Sequence, residues 1–350
     1  MIPFWSPSKI AFSVARVPWA LIPWLFLMCT TVSTAQTQEK ACNPPSTLPK
    51  LEPLGNGPLM EVRGTLASFD PCHKSVELKL PSTFWGPKPD KKPPLFIIAH
   101  GGSGLSNYEL KVAGDLQKLG YATLVYDAYQ MNGFDQGPAV FTYAVTNSAR
   151  QQMIFKVTHG AYVWATGLRE VDTSRIFLQG HSNGGSVVLN MAAAVSPAHV
   201  KGVFAEGAPS TGIGLPDKPV VPIRLSYGRL DIYGGYSLQD LMYLRADECS
   251  KSATFSFSEF PAGSLSRCSR EINPGAFSQS PQQWAQAQQS QGADIVMKIY
   301  DNSAHGVMGG GGIRRVERMD RGAKAYAWSG SEAGAASEML KDIKTFVETH

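Results

Sequence analysis

Ser182 stands in the pentapeptide Gly180-His181-Ser182-Asn183-Gly184, between a short apolar run (Arg175 to Gln179) and a helix-forming one (Ser186 to Val195). G-x-S-x-G at a strand-to-helix bend puts a serine hydroxyl on a strained turn, and glycine has no Cβ to clash where chain segments approach closely. A serine hydroxyl attacks near neutral pH only when a base takes its proton, an acid orients that base and amide donors hold the oxyanion. The chain order in such sites is serine, then Asp or Glu, then histidine. Three histidines follow Ser182: His199, His305 and His350. His199 comes directly after the elbow helix and His350 is the terminal residue. His305, five residues after the strand that ends at Tyr300, is the expected base. For the acid, Asp231 follows the strand ending near Tyr227, whereas Asp217 precedes that strand and Asp240 begins a helix.

Two backbone N–H groups should hold the oxyanion. One belongs to Asn183, directly after the nucleophile. The other comes from His100-Gly101-Gly102-Ser103-Gly104, close to the H-G-G-G type of loop, with Gly102 or Ser103 as donor. A phosphate-cradling glycine loop would need a following G-K-[ST], which is not there. His100 and His181 are expected to shape their loops rather than transfer protons.

These residues need a sheet whose strands all end on one side. Leu95–Ala99 is a continuous apolar run of the kind buried on both faces of a parallel sheet. Tyr108, Val112, Leu116 and Leu119 stripe a helix that Gly120 stops. Ala122–Tyr126 reads as a strand and Asn147–Glu170 as a long helix. After the elbow come strands at Val200–Ala205, Pro219–Tyr227 and Ala293–Tyr300, and a terminal helix from Glu332. The alternation predicts one α/β domain over 59–350, a mostly parallel central sheet flanked by helices in three α/β/α layers. Leu59–Ala67 and Ser75–Leu80 read as an antiparallel pair around Asp70-Pro71, after an extended lead-in at 36–58. Insertions are expected near 261–292 and 308–331. The first holds a short helix capped by Ser280 and Gln283 with Pro281 at its first position.

The H-G-G-S-G loop, the G-H-S-N-G-G elbow, the Tyr-Gly-x-x-Asp turn and the Ala-His loop, in that order from Leu95 to Tyr300, resemble the α/β-hydrolase superfamily. Within it they are similar to the dienelactone hydrolase branch. The resemblance implies an α/β-hydrolase fold and hydrolysis of esters or lactones. Dienelactone hydrolases usually carry cysteine at the position of Ser182, so the serine turns the expectation toward a general serine esterase.

The chain has 350 residues, 43% hydrophobic and 17% charged, an ordinary globular composition. Lys9 and Arg16 precede an apolar run, Val17–Cys29, too short to span a bilayer comfortably. Ser33 and Ala35 then supply the small residues of a cleavage site. Residues 1–35 are therefore expected to be a signal peptide cut after Ala35, which puts the mature chain in the periplasm or outside the cell, with no membrane anchor. Its removal takes two cations from a formal net charge of +4, which leaves no nucleic-acid footprint. Four cysteines remain, an even count that in an exported chain reads as disulfides with three possible pairings, of which the sequence-local one, Cys42–Cys72 with Cys249–Cys268, is the expectation. No metal-ligand spacing occurs, and the chemistry calls for no cofactor. The partner implied is a small-molecule ester, and oligomeric state is not legible. Rival readings are a peptidase of the prolyl-oligopeptidase type, which usually needs a large extra domain, and a binding protein on an inactive hydrolase fold. Tyr129, Phe134, Tyr233 and Tyr236 follow strand ends and suit either a pocket lining or packing.

Overall fold

The computed structural model describes residues 47–56, 60–82, 91–134, 145–209, 212–231, 242–245, 269–271, 280–320 and 323–350. In chain order the strands are β1 (Lys50–Pro53), β2 (Met60–Arg63), β3 (Glu77–Lys79), β4 (Pro94–Ala99), β5 (Ala122–Val125), β6 (Asp172–His181), β7 (Val200–Glu206), β8 (Ile223–Gly228), β9 (Met242–Arg245), β10 (Ser269–Glu271), β11 (Ile295–Tyr300), β12 (Arg314–Asp320) and β13 (Ala323–Ser329). The helices are α1 (Asn107–Lys118), α2 (Ala128–Met131), α3 (Asn147–Ala165), α4 (Asn183–Met191), α5 (Pro281–Ser290) and α6 (Ala333–Thr349).

Seven strands form the central sheet in the order β11-β8-β7-β6-β4-β5-β3. All neighbours are parallel except the edge pair β3–β5. Every residue of β4 is buried, and its side chains alternate between two cores. Leu95 and Ile97 join Met153, Ile154 and Val157 of α3 and Val187 and Val188 of α4 on one face. Phe96 and Ile98 join Val112 and Leu116 of α1 and Met339, Ile343 and Phe346 of α6 on the other. The period of two along the strand thus builds the three layers.

Strand order reverses beside β4. The chain leaves β4 through α1 to β5 on one side, while β6 lies on the other and leads through α4 to β7. Loops that follow β4 and β6 therefore diverge from a crevice at the strands' carboxyl ends, where open α/β sheets bind ligands. Ala99 pairs in register with Gly180, so the two loops leave the sheet side by side.

Two local expectations are corrected. The segments expected to pair around Asp70-Pro71 do not pair with each other. β2 pairs with β1, and β3 covers the exposed edge of β5; the connection between them is too long for a tight hairpin. The long helix ends at Ala165 rather than Glu170. Thr166 caps it, and Gly167, a poor helix former, follows; Leu168 keeps the apolar period by packing on the core from the loop. The stretch expected as an insertion near 308–331 contains the β12–β13 hairpin, which joins β9 and β10 in a second, four-stranded sheet. The helix expected from Ser280 forms with both bonds of its capping box. The expected signal peptide, Cys42, Cys249, Cys268, Asp240, Tyr233 and Tyr236 lie outside the described residues.

Candidate active site

Ser182 occupies the turn between β6 and α4 at φ 56 and ψ −121, a backbone region that costs a non-glycine residue on the order of 1–3 kcal/mol. Tight packing holds it there. A Cβ on Gly184 would lie 2.2 Å from the carbonyl oxygen of Ala99, and one on Gly180 would lie 2.2 Å from that of Gly184. Ser182 N–H donates to the Glu206 carbonyl at 2.8 Å, tying the turn to the end of β7.

Asp231 and His305 come together. Asp231 closes a turn after β8, its N–H donating to Gly228 O at 3.0 Å. Its buried carboxylate receives His305 Nδ1 at 3.0 Å on Oδ1 and 3.1 Å on Oδ2. A proton shared with a carboxylate belongs on Nδ1, which leaves Nε2 as the basic nitrogen. The loop that carries His305 is bonded to β13: His305 N–H donates to Trp328 O, and Gly330 N–H donates to His305 O at 2.8 Å. The segment after Met308 thus supports this loop, a role its composition did not signal. Among the described residues no hydrogen bond joins Ser182 to His305. The two arms meet through His181, whose ring centroid lies 4.5 Å from that of His305.

The glycine loop passes against Ser182, since a Cβ on Gly101 would lie 3.6 Å from Ser182 Cβ. Gly101 N–H donates to Glu109 Oε1 at 3.0 Å and Gly104 N–H to Gly101 O at 3.2 Å. Among the described residues the amides of Gly102, Ser103 and Asn183 have no such partner. Ala128 N–H donates to His100 Nε2 at 3.0 Å, and His100 Nδ1 donates to Gly101 O at 2.8 Å, which fixes the His100 tautomer and the loop's exit angle. His100 therefore shapes its loop, as expected.

Three site residues escaped the sequence reading. Glu109 Oε2 accepts from Ser106 N–H at 3.0 Å and Ser106 Oγ–H at 2.6 Å, capping α1 while its other oxygen holds Gly101. The S-x-x-E spacing could have revealed it. Tyr108 OH donates to Glu206 Oε2 at 2.6 Å. Glu206 is fully buried, and burial pushes its carboxyl up to about 7, against the pull of its hydrogen bonds and of His305. Burial, with His305 beside it, holds His181 well below the usual imidazole range. Only the position of Glu206 at a strand end hinted at it.

Of the rejected candidates, Asp217 is exposed and His199 Nδ1 is bonded to Thr173 O at 2.8 Å. Tyr129 and Phe134 are buried in the core. Cys72 is disulfide-bonded. Among the described residues no group of His, Cys, Asp and Glu could hold a metal ion, and no helix is long and apolar enough to cross a membrane. A cavity of about 360 Å³ lies between α6 and β8–β11, lined by Arg224, Tyr300 and Phe346 among others, and touches none of the residues around Ser182.

No curated protein matches the sequence. The structure is similar to a putative dienelactone hydrolase from Klebsiella pneumoniae, with TM-score 0.47 and 12% identity over 79% of this chain and 100% of that one. It is similar to a dienelactone hydrolase from Anabaena variabilis, with TM-score 0.45 and 15% identity over 87% and 99%. A third likeness is to Est1E from Butyrivibrio proteoclasticus with ferulic acid bound, at TM-score 0.43 and 15% identity over 78% and 94%. In sequence, residues 94–296 match the model of the alpha/beta hydrolase fold, and the chain belongs to that family.

Proposed function

We propose that the protein is an exported serine hydrolase that cleaves carboxylic esters, lactones included, through an acyl-enzyme. The observation that carries this reading is the Asp231–His305 pair, beside a serine at positive φ. Ser182 Oγ attacks the ester carbonyl while His305 Nε2 takes its proton. Asp231 holds the proton on Nδ1 and stabilises the imidazolium. Asn183 N–H and the N–H of Gly102 or Ser103 hold the oxyanion. His305 returns the proton to the departing alcohol, leaving the acyl group on Ser182. Water, deprotonated by His305, then releases the acid and restores the serine.

Export rests on the composition of residues 1–35, and the proposed bridges are Cys42–Cys72 and Cys249–Cys268. The deciding experiment treats the mature protein with a fluorophosphonate probe and follows p-nitrophenyl esters of graded chain length. Labelling and hydrolysis that disappear in Ser182→Ala are expected. No labelling of the wild type would mean a binding protein on a hydrolase fold. Cleavage of peptide amides in preference to esters would mean a peptidase.

A further inference from the structure

Glu206 ends β7 with none of its surface exposed, and the scheme above gives its carboxyl no task. Yet it joins three parts of the site. Its backbone carbonyl accepts Ser182 N–H at 2.8 Å. Oε2 accepts Tyr108 OH from α1 at 2.6 Å, and Oε1 accepts Met308 N–H at 3.1 Å, just past His305. His181 is its register partner on β6. The His181 ring lies between Tyr108, at 4.2 Å, and His305, at 4.5 Å. Lys111 on α1 reaches the same loop through Met308 O at 2.8 Å.

We propose that Glu206 is a positioning residue for the hydrolytic site: its carboxyl ties the loop after His305 to α1 and, when ionised, supports positive charge on the His305 imidazole. The inference rests on the serine-hydrolase reading. The titratable and charged groups facing this cluster are Tyr108, Glu109 and Lys111 from α1, His181 from β6, His305 from its loop and Asp231 from the turn after β8. Burial raises the Tyr108 hydroxyl well above its usual range, so it stays a donor. The same burial strains the Glu206 carboxylate toward protonation near neutral pH. A protonated Glu206 keeps the neighbouring fold but withdraws the negative charge, so the two forms should differ in rate.

The test is the pH dependence of kcat/KM for p-nitrophenyl acetate in the wild type, Glu206→Gln and Tyr108→Phe. In the wild type the acid limb should fall more steeply than one proton allows, because Glu206 must be ionised and His305 unprotonated. Glu206→Gln should reduce that limb to a single proton and lower the plateau by about tenfold, the scale of one hydrogen bond to a charged group. Tyr108→Phe removes a donor to the carboxylate and should move the steep limb to higher pH. A merely structural role would lower Glu206→Gln by one factor at every pH with its steepness intact, and that result overturns the proposal. If Glu206→Gln does not fold, an unmoved limb in Tyr108→Phe overturns it instead. Fluorophosphonate labelling of the wild type separates the two levels. Absent labelling sinks the serine-hydrolase reading, whereas labelling with an unchanged Glu206→Gln profile sinks this inference alone.

Discussion

The two oxygens of Asp231 straddle Nδ1 of His305 at 3.0 and 3.1 Å, and the backbone of Gly207 closes against both residues. A Cβ on Gly207 would lie 2.8 Å from Asp231 Oδ2 and 3.0 Å from His305 Nδ1, so this close approach of the chain to the pair needs glycine. Asp231→Asn preserves shape but turns an acceptor into a donor, which forces the imidazole proton onto Nε2. On the hydrolase reading kcat should fall on the order of 10³–10⁴-fold with the melting temperature little changed. A rate within threefold of wild type on a p-nitrophenyl ester would move the acid role to another carboxylate.

Gly184 and Gly114 make a matched test of the turn. Alanine at 184 would drive a methyl into backbone oxygen, 2.2 Å from Ala99 O and 2.6 Å from His100 O. The expected cost is about 3 kcal/mol, at the upper end for overpacking. For a domain of this size that is a melting-temperature loss of about 5 °C, with loss of fluorophosphonate labelling. Gly114 lies inside α1 with nothing within 4 Å of its missing Cβ, and Gly114→Ala should gain about 0.5–1 kcal/mol. Equal melting temperatures for the two variants would contradict the packing described around Ser182.

Glu109 links the helix cap to the glycine loop. Glu109→Ala leaves the Gly101 N–H without an acceptor and removes half of the capping box, costing about 1–3 kcal/mol. On the hydrolase reading the loop amides act on charge that develops only in the transition state, so kcat should fall about tens-fold with KM nearly constant. Glu109→Gln keeps an acceptor for Gly101 and should recover part of the loss. A raised KM with an unchanged kcat would instead mark Glu109 as a substrate-binding group.

What could be read in advance follows the range of the interactions. The placement of Ser182 at a strand-to-helix turn and of Asp231 and His305 just after β8 and β11 was legible because strand and turn signals are local, and their chain order is a constraint of topology. The partners of β2 and β3 were not, because which edge a short strand covers depends on strands far along the chain. Glu206 was missed for the same reason. In sequence it is an acid ending an apolar strand; Tyr108 lies 98 positions from it and Met308 102 positions. The capping box at Ser280 was legible at a distance of three residues, whereas that at Ser106, equally local, was overlooked.

The proposed Cys42–Cys72 bridge would close a loop of about 30 residues and stabilise the fold by roughly 3–4 kcal/mol on the chain-entropy account. Reductant should therefore lower the melting temperature, and intact-mass counting after alkylation should find no free thiol in the mature chain. Two free thiols and two bonded ones would remove the Cys249–Cys268 pairing.

The Glu206 carboxyl also leaves a mark on stability that needs no substrate. Its folded value of about 7 lies above the ordinary 4.5. Below 4.5 both states are protonated and the group contributes nothing. Between the two values the folded state holds a proton that the unfolded state has lost, so stability falls as pH rises. Above 7 the penalty is complete, about 3 kcal/mol for a shift of this size. Glutamine has no such titration. The stability of Glu206→Gln relative to wild type, from urea unfolding, should therefore rise by about 3 kcal/mol between pH 4.5 and pH 8. A difference that stays flat across that range would mean that Glu206 is ionised throughout, held so by Tyr108 and the amide of Met308.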